Sequence, residues 1–326
     1  MAVREETRCF VCSARDWRGE GGSLSFSCGR ERRFALRCGH CGALADHPAA
    51  ARDALPALLE LLRGPVFDAD PEAPCGFDIY TLRSLATRCG RIVSADGADQ
   101  IEALAQPHSG LAARARLSPF PVIERPPVTL ALLCRAPEMP RVRAAAREHA
   151  ARWADDIVIL VDDEPDAKEP MQEPGIRLVR RRLGGDFATQ RNAAQDLARQ
   201  PFVLQLDSDE SIDADFVAAL GGLVETATRD GAVSIGFARK NVVDGVRSDL
   251  SPDIQYRLNR RDIRYAGRVH ERPHRDWRRS FIALTAPIEH HLKREHVLAR
   301  SERYEAMAPG EGRGFETAAL LTPYRD

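Results

Sequence analysis

The chain has 326 residues, 44% hydrophobic and 29% charged, which is enough for a sizeable core and excludes a disordered or fibrous protein. Lys plus Arg number 47 against 48 Asp plus Glu, a net charge of -1, so no overall field recruits nucleic acid or an anionic membrane, and no nucleic-acid partner is expected. No apolar run approaches the roughly 18 residues of a membrane span, and MAVREETRCF lacks the apolar stretch of a secretion signal. The expectation is a cytoplasmic protein without a transmembrane segment, leaving room for peripheral membrane contact.

The chain holds eight cysteines, and without a secretion signal they point to metal binding rather than to disulfides. Cys9 and Cys12 lie in CFVC, Cys38 and Cys41 in CGHC. Each CxxC can form a knuckle presenting two thiolates, and two knuckles make the tetrahedral sulfur site that Zn2+ favours. The long interval between them fits an inserted hairpin, and Gly39 and Gly42 give the second knuckle backbone freedom. Cys28 and His40 stay open as substitute ligands. Four thiolates leave no position for a substrate, so residues 1–45 are predicted as a structural zinc ribbon. The pattern CxVC…FxLRCxxCGAL resembles the ribbon at the N-terminus of some bacterial sugar-modifying methyltransferases, although no glycine-rich methyl-donor loop follows.

Residues 46–125 carry less signal and are predicted as a helical or α/β connector. HPAAARDALPALLELLRGP has apolar residues at helical spacing before a Gly-Pro stop, RIVSAD reads as a short strand, and GADQIEALAQ as a helix. The proline-rich SPFPVIERPP at 118–127 marks a boundary.

From residue 126 strands and helices alternate. VTLALL, DIVILV, GIRLVRR and FVLQL read as strands, PEMPRVRAAAREHAARW and DFATQRNAAQDLARQ as helices, with Asp186 placed to cap the second. Such alternation predicts an α/β fold with a mainly parallel sheet and helices on both faces, its ligands beyond the carboxyl ends of the strands. Both acid clusters, VDDE and DSDE, fall at strand ends. If strand geometry persists, Asp207 and Asp209 point the same way and Ser208 away. Two carboxylates so placed make a hard oxygen site suited to Mg2+ or Mn2+, which could neutralise a diphosphate. The competing reading of DSDE is a solvated turn or a cap for the helix starting near residue 213.

Motif order over residues 126–307 resembles the GT-A glycosyltransferases, specifically the inverting family 2 enzymes that use nucleotide sugars, with a Rossmann-like, mainly parallel sheet. GDFATQRNAAQDLARQPFVLQLDSDE is similar to the family's (F)AxxRNxAxxxAxxxWVLxLDADE, QYRLNRRDIRYAGRVHERP to RLFRR…IRFxGxVHE, and PIEHHLKR to IxHxGY. The resemblance implies Asp162 on the nucleotide base, Arg191 and Asn192 beside the nucleotide, and Asp207 near the ribose or metal. It implies Asp209 as the catalytic metal and diphosphate ligand, and His290 near the metal, with His291 the neighbour it could be confused with. Glu271 is the candidate base for deprotonating an acceptor hydroxyl, against a salt bridge within the arginine-rich run 257–279, and Arg257 or Arg191 would help the leaving phosphate.

The chain departs from the family at CRAPE (134–138), at Asp163-Glu164-Pro165, and at HHLK in place of HxGY. These leave base selection and the final histidine open. A nucleotidyltransferase, or a degenerate scaffold whose ribbon binds a partner, are the alternatives; the former lacks its glycine- and lysine-rich phosphate loop here. The expected partners are a nucleotide-diphosphate sugar and a glycan, lipid-linked, protein or small-molecule acceptor. Residues 308–326 read as a tail.

Overall fold

The computed structural model describes residues 7–165 and 173–325, so the first six residues of the expected ribbon lie outside the described residues. The chain divides into two compact units, one of Met1–Pro121 with Phe281–Thr285, the other of Val122–Ser280 with Ala286–Arg325.

In the N-terminal unit two matching turns carry the cysteines. Ser13 N donates to Cys9 O at 2.9 Å, and Gly42 N to Cys38 O at 2.9 Å. Both closing residues have left-handed backbones, Ser13 at φ 63° and Gly42 at φ 85°; glycine takes that conformation without strain. Between the turns the hairpin Gly22–Ser25 with Glu31–Phe34 fills the long interval. The apolar run 47–65 forms two helices, Pro48–Asp53 and Leu55–Arg63, where the sequence predicts one. Pro56 causes the break, having no N–H for the preceding turn and clashing with its carbonyl. Arg91–Ala95 pairs with Arg114–Pro119, which also pairs with Val66–Asp68. The four ribbon cysteines and the buried faces of these later elements, including Leu62, Ile79, Leu82 and Val93, share one apolar cluster. Leu284 belongs here too, donating from its backbone N to Thr87 Oγ1 at 2.7 Å.

The second unit is built on one mixed sheet. Its strands in chain order are β1 (Val128–Arg135), β2 (Asp156–Asp162), β3 (Ile176–Arg180), β4 (Phe202–Asp207), β5 (Glu210–Ser211), β6 (Ser234–Val243), β7 (Asp253–Arg260) and β8 (Ser280–Leu292). Across the sheet they run β3-β2-β1-β4-β7-β6-β8-β5. The first four are parallel; β1, β2 and β4 bear the near-continuous apolar runs of strands covered on both faces, while the edge strand β3, IRLVR, intersperses apolar residues with arginine. The β4–β7, β7–β6 and β8–β5 pairs are antiparallel. The parallel half predicted from the sequence is thus followed by antiparallel pairing, and the connection from β6 to β7 holds none of the helix that a parallel crossover would need.

Helix α1 (Met139–Arg152) joins β1 to β2, and α2 (Phe187–Leu197) joins β3 to β4. Asp186 caps α2 as expected, accepting from Thr189 N at 2.9 Å. The helix stops three residues before its predicted end at residue 200: Ala198 is extended, and Arg199 N turns to Asp156 Oδ2 at 3.0 Å. Helix α3 (Ala214–Asp230) starts on Asp213, which accepts from Phe216 N at 2.8 Å. Beyond α4 (Arg294–Met307), the segment read as a tail holds a further helix, Gly314–Leu321, whose Leu320 is buried with Val243, Leu292 and Val297.

Candidate active site

Strand β1 lies between β2 and β4, where the strand order reverses direction. Its residue Leu133 is opposite Asp207, and Arg135 is opposite Asp162. Both acids therefore sit at carboxyl ends flanking the reversal, where open α/β sheets bind ligands. Asp162 is half-buried and accepts from Leu183 N at 2.8 Å.

After Asp207 the chain turns through Ser208 and Asp209 before β5 pairs Glu210 with His290. Strand geometry does not persist through DSDE, and its acids separate. Asp207 accepts from Arg191 Nη2, 2.9 Å from each oxygen, and from Arg257 Nη2 at 2.6 Å. Burial opposes its charge, but the two guanidiniums hold its carboxyl well below the usual carboxylate range. Asp209 instead faces His290, with 3.4 Å between Oδ2 and Nε2. Burial again raises its pKa, and the histidine contact overcomes it, so the carboxyl stays below its ordinary value.

Glu210 was not foreseen as a site residue, although it belongs to DSDE. Its side chain is fully buried and accepts from Arg257 Nη2 at 2.7 Å and Arg239 Nη1 at 3.2 Å. Arg239 continues to Asp253, its Nε 2.8 Å from Oδ2. Asp253 also accepts from Asn241 Nδ2 at 3.0 Å, and Asn241 Oδ1 lies 2.7 Å from His290 Nδ1. At the other end Arg191 Nε donates to Glu271. A continuous ladder thus joins Glu271 to Asp209 across five strands, β4 to β8, with Arg191, Arg239 and Arg257 against Glu271, Asp207, Glu210, Asp253 and Asp209. Arg272 and Arg135 add further positive charge near Asp253 and Asp209, and Asp209, half-exposed at the end of the ladder, presents a carboxylate suited to a hard divalent cation. A sequence signal for the missed members existed: Arg239 and Asn241 are the polar alternates of one face of SIGFARKNVV.

Of the remaining expected residues, Asn192 is engaged by the backbone of Tyr265, and the salt bridge of Glu271 runs to Arg191 rather than within 257–279. His270 sits in the left-handed region at φ 52°, with Nε2 2.7 Å from Glu311 O and its ring edge-on to Tyr304. Gly267, at φ 100°, permits the turn that sets this loop. Ser208 donates to Glu138 at 3.0 Å, so the divergent CRAPE segment supplies an acid to the DSDE turn. His291 bonds Ser211 Oγ at 3.1 Å and lies off the ladder.

In the N-terminal unit the cysteine sulfurs lie within 4.8 Å of one another, with Cys9–Cys41 and Cys12–Cys38 separations of 3.7 Å. Cys28 and His40 are exposed and outside this group. Among the described residues these four form the only group of three or more His, Cys, Asp or Glu so closely clustered; Asp207, Asp209 and His290 do not form one.

A family model described as Glycosyl transferase family 2 matches residues 136–277, from the CRAPE segment through the loop of Glu271. Residues 136–277 are a family 2 glycosyltransferase domain. Over residues 136–277 the family read from the sequence holds, and the mixed α/β sheet agrees with the GT-A fold expected with it. No curated protein matches the chain. Among solved structures it is similar to S. aureus TarS 1-349, at 11% identity and a TM-score of 0.32 over 59% of this chain and 70% of that one. TarS 1-349 in complex with UDP gives 11% and 0.31, over 59% and 69%. A longer TarS structure gives 11% and 0.33, with 59% of this chain aligned to 42% of that one. Among the described residues no helix is long and apolar enough to cross a membrane.

Proposed function

We propose that the glycosyltransferase domain moves a sugar from a nucleoside-diphosphate donor to an acceptor hydroxyl with inversion, using Mg2+ or Mn2+. The observation that carries this is the Asp209–His290 pair beside the turn that follows β4, 3.4 Å apart at the half-exposed end of the ladder. Asp209 Oδ2 and His290 Nε2 would hold the ion. Asp207, with both oxygens taken by arginines, supports it from the side facing the ribose. When bound, the ion would supply charge neutralisation for the diphosphate leaving group.

The chain's own residues do the rest. Asp162 stands beside the base site, on the other side of β1 from Asp207. Arg257 and Arg191 add fixed positive charge behind Asp207, and Asn192 holds the hairpin against α2. Glu271, oriented by Arg191, takes the proton from the attacking hydroxyl as it adds to the anomeric carbon. For the cysteine cluster we propose structural Zn2+: a tetrahedron with Zn–S bonds of about 2.3 Å has sulfurs about 3.8 Å apart, and the observed pairs stand at 3.7 Å.

The test is thermal unfolding of the full chain with UDP, GDP, CDP, ADP and dTDP, each with and without Mn2+, beside Asp209→Asn. A nucleotide at 100 times its Kd should add about 2.7 kcal/mol, in a metal-dependent manner that the variant loses. Stabilisation by none of them in either protein would turn the reading towards a scaffold.

A further inference from the structure

The far end of the ladder determines which nitrogen of His290 faces Asp209. Asn241 and His290 are 1% and 3% exposed, so their polar atoms cannot turn to water. The Asn241 amide has one sensible orientation. Its Nδ2 meets two acceptors, Leu250 O at 3.3 Å and Asp253 Oδ2 at 3.0 Å. Exchanging O and N would set an oxygen against a carbonyl and a carboxylate, and buried acceptors so opposed are costly. Asn241 Oδ1 is therefore the atom 2.7 Å from His290 Nδ1, and that nitrogen must donate. With Nδ1 donating to Asn241, Nε2 is the ring nitrogen left for the Asp209 side, 3.4 Å from Oδ2.

Asp253 fixes this orientation. It stands opposite Arg239 in the β6–β7 register and receives Arg239 Nε at 2.8 Å and Gln255 Nε2 at 2.5 Å, besides Asn241. Its carboxylate cannot rotate away from Asn241 without abandoning a buried guanidinium.

We infer that Asn241 and Asp253 are positioning residues for His290, holding its Nδ1 proton so that Nε2 is the nitrogen turned to a cation beside Asp209. The inference rests on the reading that Asp209 and His290 hold a divalent ion. Outer partners of this kind orient a ligand ring and fix its tautomer. Neither residue touches the proposed ion, and neither belongs to DSDE or to the histidine motif.

Two measurements on the full chain test it. The first is 15N NMR of the imidazole of His290 in the metal-free wild type, assigned by loss of its signals in His290→Ala. A proton on Nδ1 is expected; an unprotonated Nδ1 overturns the inference whatever the variants do. The second is Mn2+ affinity by paramagnetic resonance for wild type, Asn241→Leu, Asp253→Asn, His290→Ala and the double variant Asn241→Leu/His290→Ala. Asn241→Leu should weaken Mn2+ binding about 10- to 100-fold, with Asp253→Asn in the same direction. In the His290→Ala background the Asn241 effect should vanish, because it acts only through the ring. A loss that persists there marks a general structural role and overturns the inference. So does full affinity in Asn241→Leu when His290→Ala binds weakly, an outcome that leaves the metal reading standing. Unchanged Mn2+ binding in His290→Ala, or none in the wild type, would instead remove the metal reading itself and this inference with it.

Discussion

Asn192 and Tyr265 exchange two hydrogen bonds, the amide Nδ2 donating to Tyr265 O at 3.0 Å and Oδ1 accepting from Tyr265 N at 2.7 Å. One side chain on α2 thereby satisfies both backbone groups of a residue in the hairpin Arg264–Ala266 with Arg272–His274, the hairpin that frames Glu271. Asn192→Ala leaves both groups without partners, at a cost of about 1–3 kcal/mol each. Asn192→Asp keeps the acceptor for Tyr265 N but sets a second oxygen against Tyr265 O, so it should recover none of that loss. Denaturant midpoints at constant slope would check that both variants fall well below wild type.

Acid should reveal Asp253. Burial opposes its charge, but Arg239, with Asn241 and Gln255, holds its carboxyl well below the usual carboxylate range. A carboxyl with a depressed folded pKa contributes stability that is present above the unfolded value of about 3.9 and lost as pH falls towards the folded one. Asp253→Asn should therefore be destabilised at neutral pH by about 3 kcal/mol, since it removes one of the two carboxylates that hold the buried Arg239 guanidinium. The gap to wild type should narrow as pH drops below about 4. A gap that stays constant across that range in thermal unfolding would show that Asp253 contributes no charge.

Glu271 separates two roles by kinetics. As the base, its loss in Glu271→Gln should lower kcat by about 10^2- to 10^4-fold with KM nearly unchanged. As the counter-ion of Arg191 alone, the same isosteric change should mainly lower stability. Initial rates over donor concentration, alongside a melting curve, discriminate the two.

Removing one thiolate should remove one metal. Cys12→Ser is expected to drop zinc from one equivalent per chain to near zero by elemental analysis, and to melt the apolar cluster that the four cysteines share with Leu62, Ile79 and Leu82. Cys28→Ser, at an exposed position outside the group, should retain full zinc and wild-type melting.

What the sequence made legible was local. The strand Phe202–Leu206, the capping Asp186 and the paired CxxC motifs each act within a few residues, and their meaning survives in a one-dimensional reading. The end of α2 was less visible, because Ala198 continues the apolar face while Thr129 and Asp156 on neighbouring strands draw the next backbone N–H groups away. The ladder was least visible. Glu210 meets Arg239 and Arg257 at separations of 29 and 47 residues, and His290 meets Asn241 at 49. Such pairs are set by strand order, which an alternation of polar residues signals without naming the partner. The share of DSDE in two separate sets of contacts arose from the turn at Ser208, which a strand-period reading does not anticipate.

One strand has a consequence for how the chain is made. Phe281–Thr285, in the first part of β8, belongs to the N-terminal unit, where Leu284 bonds Thr87 and Ile282 N donates to Ser84 Oγ at 3.3 Å. Residues 7–121 must therefore wait for residues 281–285 to be synthesised before their unit is whole. By then all of β1 to β7 has emerged. The N-terminal unit is therefore completed only after most of the second unit has been made, and a nascent chain arrested before residue 281 would display an unfinished N-terminal unit to chaperones and proteases.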